Sequence, residues 1–211
     1  AGCVKEMVAA GLVSDADVRA FTKRSIVFRD EIWTRAAEHM IEKHQPNLLL
    51  YHLLTTDSNQ HSYGARSLGA YTSLALADSR VGRLVAAVER AGITDRTTFV
   101  VVSDHGFRSY SKTLRAMDFV PESIAKDVFI VPEGGTAMVY VRPSRRAELV
   151  PQLRSAFSGK PSIAAVYGPE DFGRFGYPDP AKNDRMADLV LAAAEPYSFA
   201  GSTADKAGGA H

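Results

Sequence analysis

A single cysteine, Cys3, rules out an intrachain disulfide and any zinc motif built from several thiols. An excess of charge is equally lacking: 25 Lys and Arg stand against 24 Asp and Glu, for a formal net charge of +1. No basic field is available to gather a nucleic-acid polymer, and no acidic tail argues for a solvating segment. There is no apolar run approaching the roughly 18 residues that a membrane-spanning helix needs. The opening residues, Ala1-Gly2-Cys3-Val4-Lys5, lack the basic-then-apolar pattern of a signal peptide, but in a chain that does not begin with Met this says nothing about export. Internal repeats, low-complexity blocks and linkers are also missing. What is present is the profile of a globular protein, with 45% hydrophobic and 23% charged residues over 211 positions, long enough to bury a sizeable core.

Residues 14–44 read as helical, with Ser14 or Asp15 as the cap and Ile26, Trp33, Ala37, Met40 and Ile41 on one face. Pro46 stops that pattern. Leu48 to Leu53 then form a continuous apolar run of the kind found in a strand covered on both faces of a parallel sheet. A polar loop from Thr55 to Arg66 precedes a strong helix, in which Leu74, Ala77, Val81, Leu84, Val85 and Val88 recur at helical spacing and Gly92 caps the end. Thr97 to Val102 reads as the next buried strand. The strand-helix-strand order predicts parallel strands whose carboxyl ends share one edge of the sheet, where open α/β sheets bind ligands. Residues 114–184 are a less regular α+β stretch. Within it, Asp127 to Val131 and Thr136 to Val141 read as short strands around a Pro132-Glu133-Gly134-Gly135 turn, followed by a helix over 144–157 with Leu149, Leu153 and Phe157 inward. Gly168 to Asp184 reads as a long surface loop, Asp188 to Ala193 as another apolar strand, and Gly201 to His211 as a tail of small residues, flexible in composition.

Each of the first two apolar runs is followed by a carboxylate and an imidazole. Asp57 and His61 follow the first; Ser103-Asp104-His105-Gly106 directly follows the second. Imidazole nitrogen and carboxylate oxygen are the donors that zinc takes at about 2.0–2.2 Å. Asp57 and His61 are four residues apart, so a helical turn after Thr55 would put both on one face. Asp104 and His105 can share an ion only if the backbone turns sharply, which Gly106 permits. Either pair alone is a weak signal, since an Asp at a strand end commonly caps or turns and an isolated His is usually a surface or hydrogen-bonded residue. Two pairs at one sheet edge favour divalent metal. Ser103, next to Asp104, points to the opposite face of an extended segment and reads as structural. His39 and His44 fall on the polar side of a helix and read as solvated. His52, inside an apolar run, reads as a packed residue, Asp78 as the partner of a helix-to-loop hydrogen bond, and Asp188 as the orienter of a turn.

These residues also carry a resemblance. Tyr51-x5-Asp57-x3-His61-x2-Gly64, Ala77-Asp78-x2-Val81-Gly82 and Thr98-Phe99-Val100-Val101-Val102-Ser103-Asp104-His105-Gly106 together resemble the type I phosphodiesterase / nucleotide pyrophosphatase branch of the alkaline phosphatase superfamily. The likeness continues more weakly through Gly135 to Tyr140 and Arg185 to Leu191. It reaches Gly208-Gly209-Ala210-His211, which looks like the family's Gly-x-His-Gly segment cut off at the His.

The resemblance implies an α/β fold, a three-layer sandwich with a mostly parallel central sheet, alkaline phosphatase-like and incomplete in this chain. It implies one catalytic α/β domain portion over residues 1–211. By position, Asp57 and His61 would hold one zinc together with His211, and Asp104 and His105 would hold a second. The family's Thr or Ser nucleophile and a further Asp are expected upstream of this segment. The implied reaction is hydrolysis of phosphoric ester bonds, in phosphodiesters or nucleotide pyrophosphates, through two divalent ions (zinc the first choice) and a covalent phospho-enzyme. The implied partner is a small-molecule phosphoester, and the implied location is periplasmic or secreted. A phosphonate hydrolase or phosphosugar mutase of the same superfamily, or a fragment without activity of its own, stands as the alternative reading. A sulfatase is disfavoured, because Cys3-Val4-Lys5 does not resemble a formylglycine motif.

Overall fold

A computed structural model describes residues 2–211. The chain forms two compact units, one of Ala1–Ser62 with Arg66–Asp104, the other of Tyr63–Ala65 with His105–His211.

The first unit is helical: α1 (Cys3–Ala9), α2 (Asp15–Ala20), α3 (Ile26–His44), α4 (Thr55–Tyr63) and α5 (Leu68–Arg90). The helical reading of 14–44 is divided because two serines each start a helix. Ser14 accepts from the Asp17 amide at 3.1 Å, and the Asp17 carboxylate reaches back to the Ser14 amide, a reciprocal cap. Ser25 accepts from the Phe28 amide at 3.3 Å and starts α3. Gln45 takes a left-handed conformation (φ 43°) and ends it, and Pro46 follows. At the end of α5, Gly92 adopts φ +67° and the Ile93 amide bonds back to the Val88 carbonyl at 3.2 Å.

Helices α3 and α5 pack through Ala37, Ile41, Leu84, Ala87 and Val88, with Tyr51, Ala91 and Ile93 at the margin. The predicted apolar stripe of α5 is shifted. Ala70, Ser73, Arg80, Leu84, Ala87 and Val88 are buried, whereas Leu74 and Val85 are exposed. On α3 the inward positions Asp30, Thr34, Ala37 and Ile41 follow the i, i+4, i+7, i+11 rule, but the first two are polar. Beside the apolar seam, Arg83 forks onto Glu38 at 2.6 and 3.0 Å and reaches Glu31 at 2.8 Å. Burial raises the Glu31 pKa, but hydrogen bonds from Arg83 and Arg35 outweigh it and hold the carboxyl below its ordinary value.

Residues 48–53 and 97–102 depart from the sequence expectation. Neither run belongs to a ladder among the described residues. Leu48 (75%), Leu50 (85%), Val100 (77%), Val101 (79%) and Val102 (82%) are exposed rather than covered. A parallel strand is held only by hydrogen bonds to neighbours, so apolar character alone does not make one. His52, expected to pack, is exposed with them, as is Asp78 on α5.

Among the described residues, the second unit holds seven strands in two sheets. They are β1 (Arg108–Leu114), β2 (Val128–Glu133), β3 (Thr136–Val141), β4 (Ile163–Tyr167), β5 (Leu189–Ala193), β6 (Tyr197–Phe199) and β7 (Ala204–Ala210). The smaller sheet runs β6-β1-β7, with β1 parallel to β6 and antiparallel to β7. The larger runs β2-β3-β5-β4, antiparallel throughout. Helix α6 (Arg146–Phe157) buries Leu149, Leu153 and Phe157 completely, as its spacing predicts, against Val139, Val141, Leu189 and Leu191. The β2-β3 hairpin and β5 also form where the sequence places them. Two readings are corrected. The Gly168 to Asp184 stretch contains a short helix, α7 (Pro169–Phe172), and buries Phe172 in a cluster with Met186, Ala187 and Val190. The small-residue tail is strand β7, in which Gly208 and Gly209 lie opposite Tyr110 and Ser109. Small side chains there permit close backbone approach.

The Glu31 shift sets a pH dependence for the α3–α5 clamp. A depressed carboxylate contributes stability above its unfolded pKa, near 4.5, and that contribution is lost as pH falls through the lower folded value. Replacing Arg83 with Met is therefore expected to destabilise the chain more at pH 7 than at pH 3.5, as read by urea unfolding followed through Trp33 fluorescence. A penalty equal at both pH values would refute the clamp.

Candidate metal centre

Helix α4 is unusually polar and short, and its position depends on a buried carboxylate. Asp30, on α3 and fully buried, accepts from the Leu54 amide at 3.1 Å, the Thr55 amide at 2.9 Å and the Thr55 hydroxyl at 2.6 Å. The first amides of a helix have no intrahelical acceptor, and the helix dipole favours an anion there. Arg80 of α5 balances the charge with Nη1 3.5 Å from Asp30 Oδ2, an ionic contact without hydrogen-bond geometry, while its Nη2 donates to the Val27 carbonyl at 2.9 Å. The Thr34 hydroxyl donates to the Asp30 carbonyl at 2.6 Å, so the Tyr51 hydroxyl, 2.6 Å from Thr34 Oγ1, is the donor in that pair. Burial raises the Tyr51 pKa, which keeps that proton in place.

On the helix so anchored, Asp57 and His61 stand on one face, with Asp57 Oδ1 3.5 Å from His61 Nε2. Two donors bound to one tetrahedral ion at about 2.0–2.2 Å stand roughly 3.3–3.6 Å apart, so this pair has the separation of two ligands on one cation. Both side chains are partly exposed, 38% and 42%, which keeps a face of the pair accessible. Tyr63, at the end of α4, is exposed.

In the second unit the chain brings His105 and His211 together, although 106 positions separate them. The β1-β7 ladder pairs Arg108 with Ala210, so the residues just beyond each strand are neighbours. Their rings stack with centroids 4.0 Å apart, and Phe107 meets both edge-on at 5.2 and 6.0 Å. His105 Nδ1 lies 3.1 Å from the Gly106 carbonyl. A carbonyl only accepts, so Nδ1 is the donor in that contact, the hydrogen bond typical of a metal-binding imidazole's second nitrogen. The His211 end is seated by the β2-β3 turn. The Gly135 amide donates to the His211 carbonyl at 2.8 Å, and a Cβ on Gly135 would stand 2.9 Å from that oxygen. Asp104 ends the first unit and is exposed. The donor chemistry of both pairs suits zinc. Asp188, expected to orient a turn, accepts from the Val141 amide at 2.8 Å and pairs with Arg146, which fixes the start of β5 against the end of β3.

Sequence reasoning did not single out Asp30, Arg80, Phe107 or the seating role of Gly135. Asp30 and Thr34 had a signal, being polar residues one turn apart on the stripe that carries Ala37 and Ile41. His39, read as solvated, is buried, with only His44 exposed.

The family profile described as type I phosphodiesterase / nucleotide pyrophosphatase matches residues 11–211. The chain belongs to this family. Among solved structures, murine ectonucleotide pyrophosphatase / phosphodiesterase 5 is similar at 20% identity with a TM-score of 0.66, over 87% of this chain and 48% of its own. An inactive form of that murine protein in complex with AMP aligns at 20% identity and a TM-score of 0.67, over 87% of this chain and 47% of its own. Phosphonoacetate hydrolase from Sinorhizobium meliloti 1021, in complex with phosphonoformate, aligns at 18% identity and a TM-score of 0.66, over 94% of this chain and 51% of its own. Comparison with curated proteins gives no match. The phosphodiesterase-family chain thus has a mixed α/β, alkaline phosphatase-like fold and spans about half the length of these neighbours. Among the described residues, no helix is long and apolar enough to cross a membrane.

Two substitutions test the anchoring. Asp30→Ala leaves the Leu54 and Thr55 amides without their buried acceptor and Arg80 without its counter-charge, and is expected to cost about 3–5 kcal/mol in urea unfolding, the scale of breaking a buried pair by removing one partner. A loss below about 1 kcal/mol, the range of exposed pairs, would refute the role. Gly135→Ala is expected to cost about 1–3 kcal/mol through overpacking and to shift the His105 and His211 imidazole NMR signals. Unmoved signals would show that the turn does not seat His211.

Proposed function

We propose that this chain serves metal-dependent hydrolysis of phosphoric ester bonds in small molecules, phosphodiesters or nucleotide pyrophosphates. Two divalent ions, zinc the first choice, would be held by Asp57, His61, Asp104, His105 and His211. The observation that carries the reading is the Asp57–His61 pair, held on one face of α4 at a separation suited to a shared ion. His105, whose Nδ1 donates to the Gly106 carbonyl, supports it, with Nε2 as the nitrogen that would ligate an ion. Family membership supports the reaction class.

Bound divalent ions supply Lewis-acid charge against phosphoryl oxygen and lower the pKa of a hydroxyl nucleophile. The chain's own contribution is positional. Asp57 would supply a carboxylate oxygen, His61 and His105 would supply imidazole nitrogens, and Phe107 packs edge-on to two imidazoles. The Thr or Ser nucleophile belongs, in this reading, outside residues 1–211, and Ser103 is not assigned that role. The similarity to a phosphonoacetate hydrolase structure gives phosphonate hydrolysis as the second reading.

In the protein as its gene encodes it, Asp104→Asn and His105→Ala are each expected to lower hydrolysis of a chromogenic phosphodiester by more than the roughly 10–100-fold typical of outer-shell changes. Retention of activity in either would sink the assignment. Greater turnover of a phosphonate than of any phosphodiester would favour the second reading.

A further inference from the structure

Away from these pairs, the first unit gathers a third set of metal-ligand side chains. Glu6 lies on α1; His39 and His44 lie on the last two turns of α3. Glu6 Oε2 is 3.2 Å from His39 Nε2 and 2.7 Å from His44 Nε2, so one carboxylate oxygen bridges two imidazoles. The three ligand atoms all lie within 4.8 Å of one another. The rings stand at 70° with centroids 6.0 Å apart, so they are not stacked on each other.

We propose that Glu6, His39 and His44 form a binding site for a borderline divalent cation of the zinc, nickel or copper class, and that the ion staples α1 to the end of α3. Two imidazole nitrogens and one carboxylate oxygen match the donor preference of these ions and not that of magnesium or calcium, which take oxygen. A tetrahedral ion with bonds of about 2.0–2.2 Å requires ligand atoms roughly 3.3–3.6 Å apart. The 3.2 Å separation falls just short of this range, and both it and the 2.7 Å one reach it by opening under about 1 Å, a side-chain adjustment. Burial distinguishes the site from casual surface histidines. His39 is only 9% exposed, which limits its rotamers, while Glu6 and His44 are 48% and 42% exposed and give an ion its way in. Three protein ligands leave one position for water. The two helices are far apart in sequence, so an ion shared between them would stabilise the folded form by its binding free energy.

Zinc alone is the probe, titrated into the 211-residue chain by calorimetry, with thermal unfolding and imidazole NMR alongside. Glu6→Gln and His44→Ala are each expected to remove one zinc equivalent, or weaken it at least tenfold, and to abolish the matching thermal shift. Asp57→Asn should leave that equivalent intact. In the unsubstituted chain, the His39 and His44 signals should move together at saturating zinc while magnesium leaves them unchanged, a readout independent of whether any variant folds. Unmoved His39 and His44 signals at saturating zinc, or binding unaltered in both variants, would overturn the proposal. A zinc equivalent lost only in Asp57→Asn would do the same while supporting the phosphoesterase ligands, so the two readings fail separately.

Discussion

The placement of α4 rests on a buried carboxylate. Asp30 accepts the amide and hydroxyl groups at the start of that helix, and Arg80 from α5 faces the same oxygen. Without the anchor, α4 has little to hold it. Its sequence, Thr55-Thr-Asp-Ser-Asn-Gln-His-Ser-Tyr63, offers no apolar stripe, and Thr55 is its one buried residue. Nine residues of such composition do not form a stable helix by propensity, since nucleation is costly and packing normally supplies the stability. The electrostatics of one helix terminus therefore substitute for a hydrophobic face. The functional consequence is direct, because the i, i+4 spacing of Asp57 and His61 converts to a 3.5 Å separation only while the segment stays helical.

The second pair is made by a different device. His105 and His211 come from distant parts of the sequence, and antiparallel register sets their proximity: His105 stands three residues before the first residue of β1, and β7 delivers His211 just after its last. The β2-β3 turn then closes on the His211 carbonyl, with Gly134 at φ +67° and Gly135 too near that oxygen to accept a side chain. The small residues of β7 that look compositionally flexible are those a close-packed strand needs at this point. Loss of side-chain bulk and gain of order coincide here because backbone pairing, not packing, defines the strand.

Legibility in the sequence followed the source of each element's stability. Helix α6, the β2-β3 hairpin and β5 were readable because their periodic apolar residues are the ones buried: Leu149, Leu153 and Phe157 lie fully inside. The Asp57–His61 pair was readable because carboxylate and imidazole at i, i+4 predict a shared face. The anchoring of α4 by Asp30 was not, because it joins residues 24 and 25 positions apart through hydrogen bonds that leave no period. The β7 strand was missed for the converse reason, its residues having neither β-branched bulk nor alternation. His39 falls on the polar face of α3, yet Glu6 from α1 receives it, a contact that the periodicity of α3 alone does not reveal.

The runs 48–50 and 99–102 show how far a local pattern can be trusted. Five or more large apolar side chains in these runs are exposed, several by more than three quarters of their surface. Fully burying one such side chain is worth about 1.5–3 kcal/mol, so leaving a cluster in water forgoes a sum comparable with the net stability of a domain. An apolar run specifies what a segment prefers to touch, but a parallel strand also needs hydrogen-bonded neighbours on its edges, and those cannot be read from the run itself. The same segments flank the site: Leu48 to Leu53 leads into the Asp30-anchored start of α4, and Val100 to Val102 leads into Ser103-Asp104. Covering them would order both approaches to the candidate ligands, which would tie the burial of these runs to the precision of the Asp57–His61 and Asp104 positions.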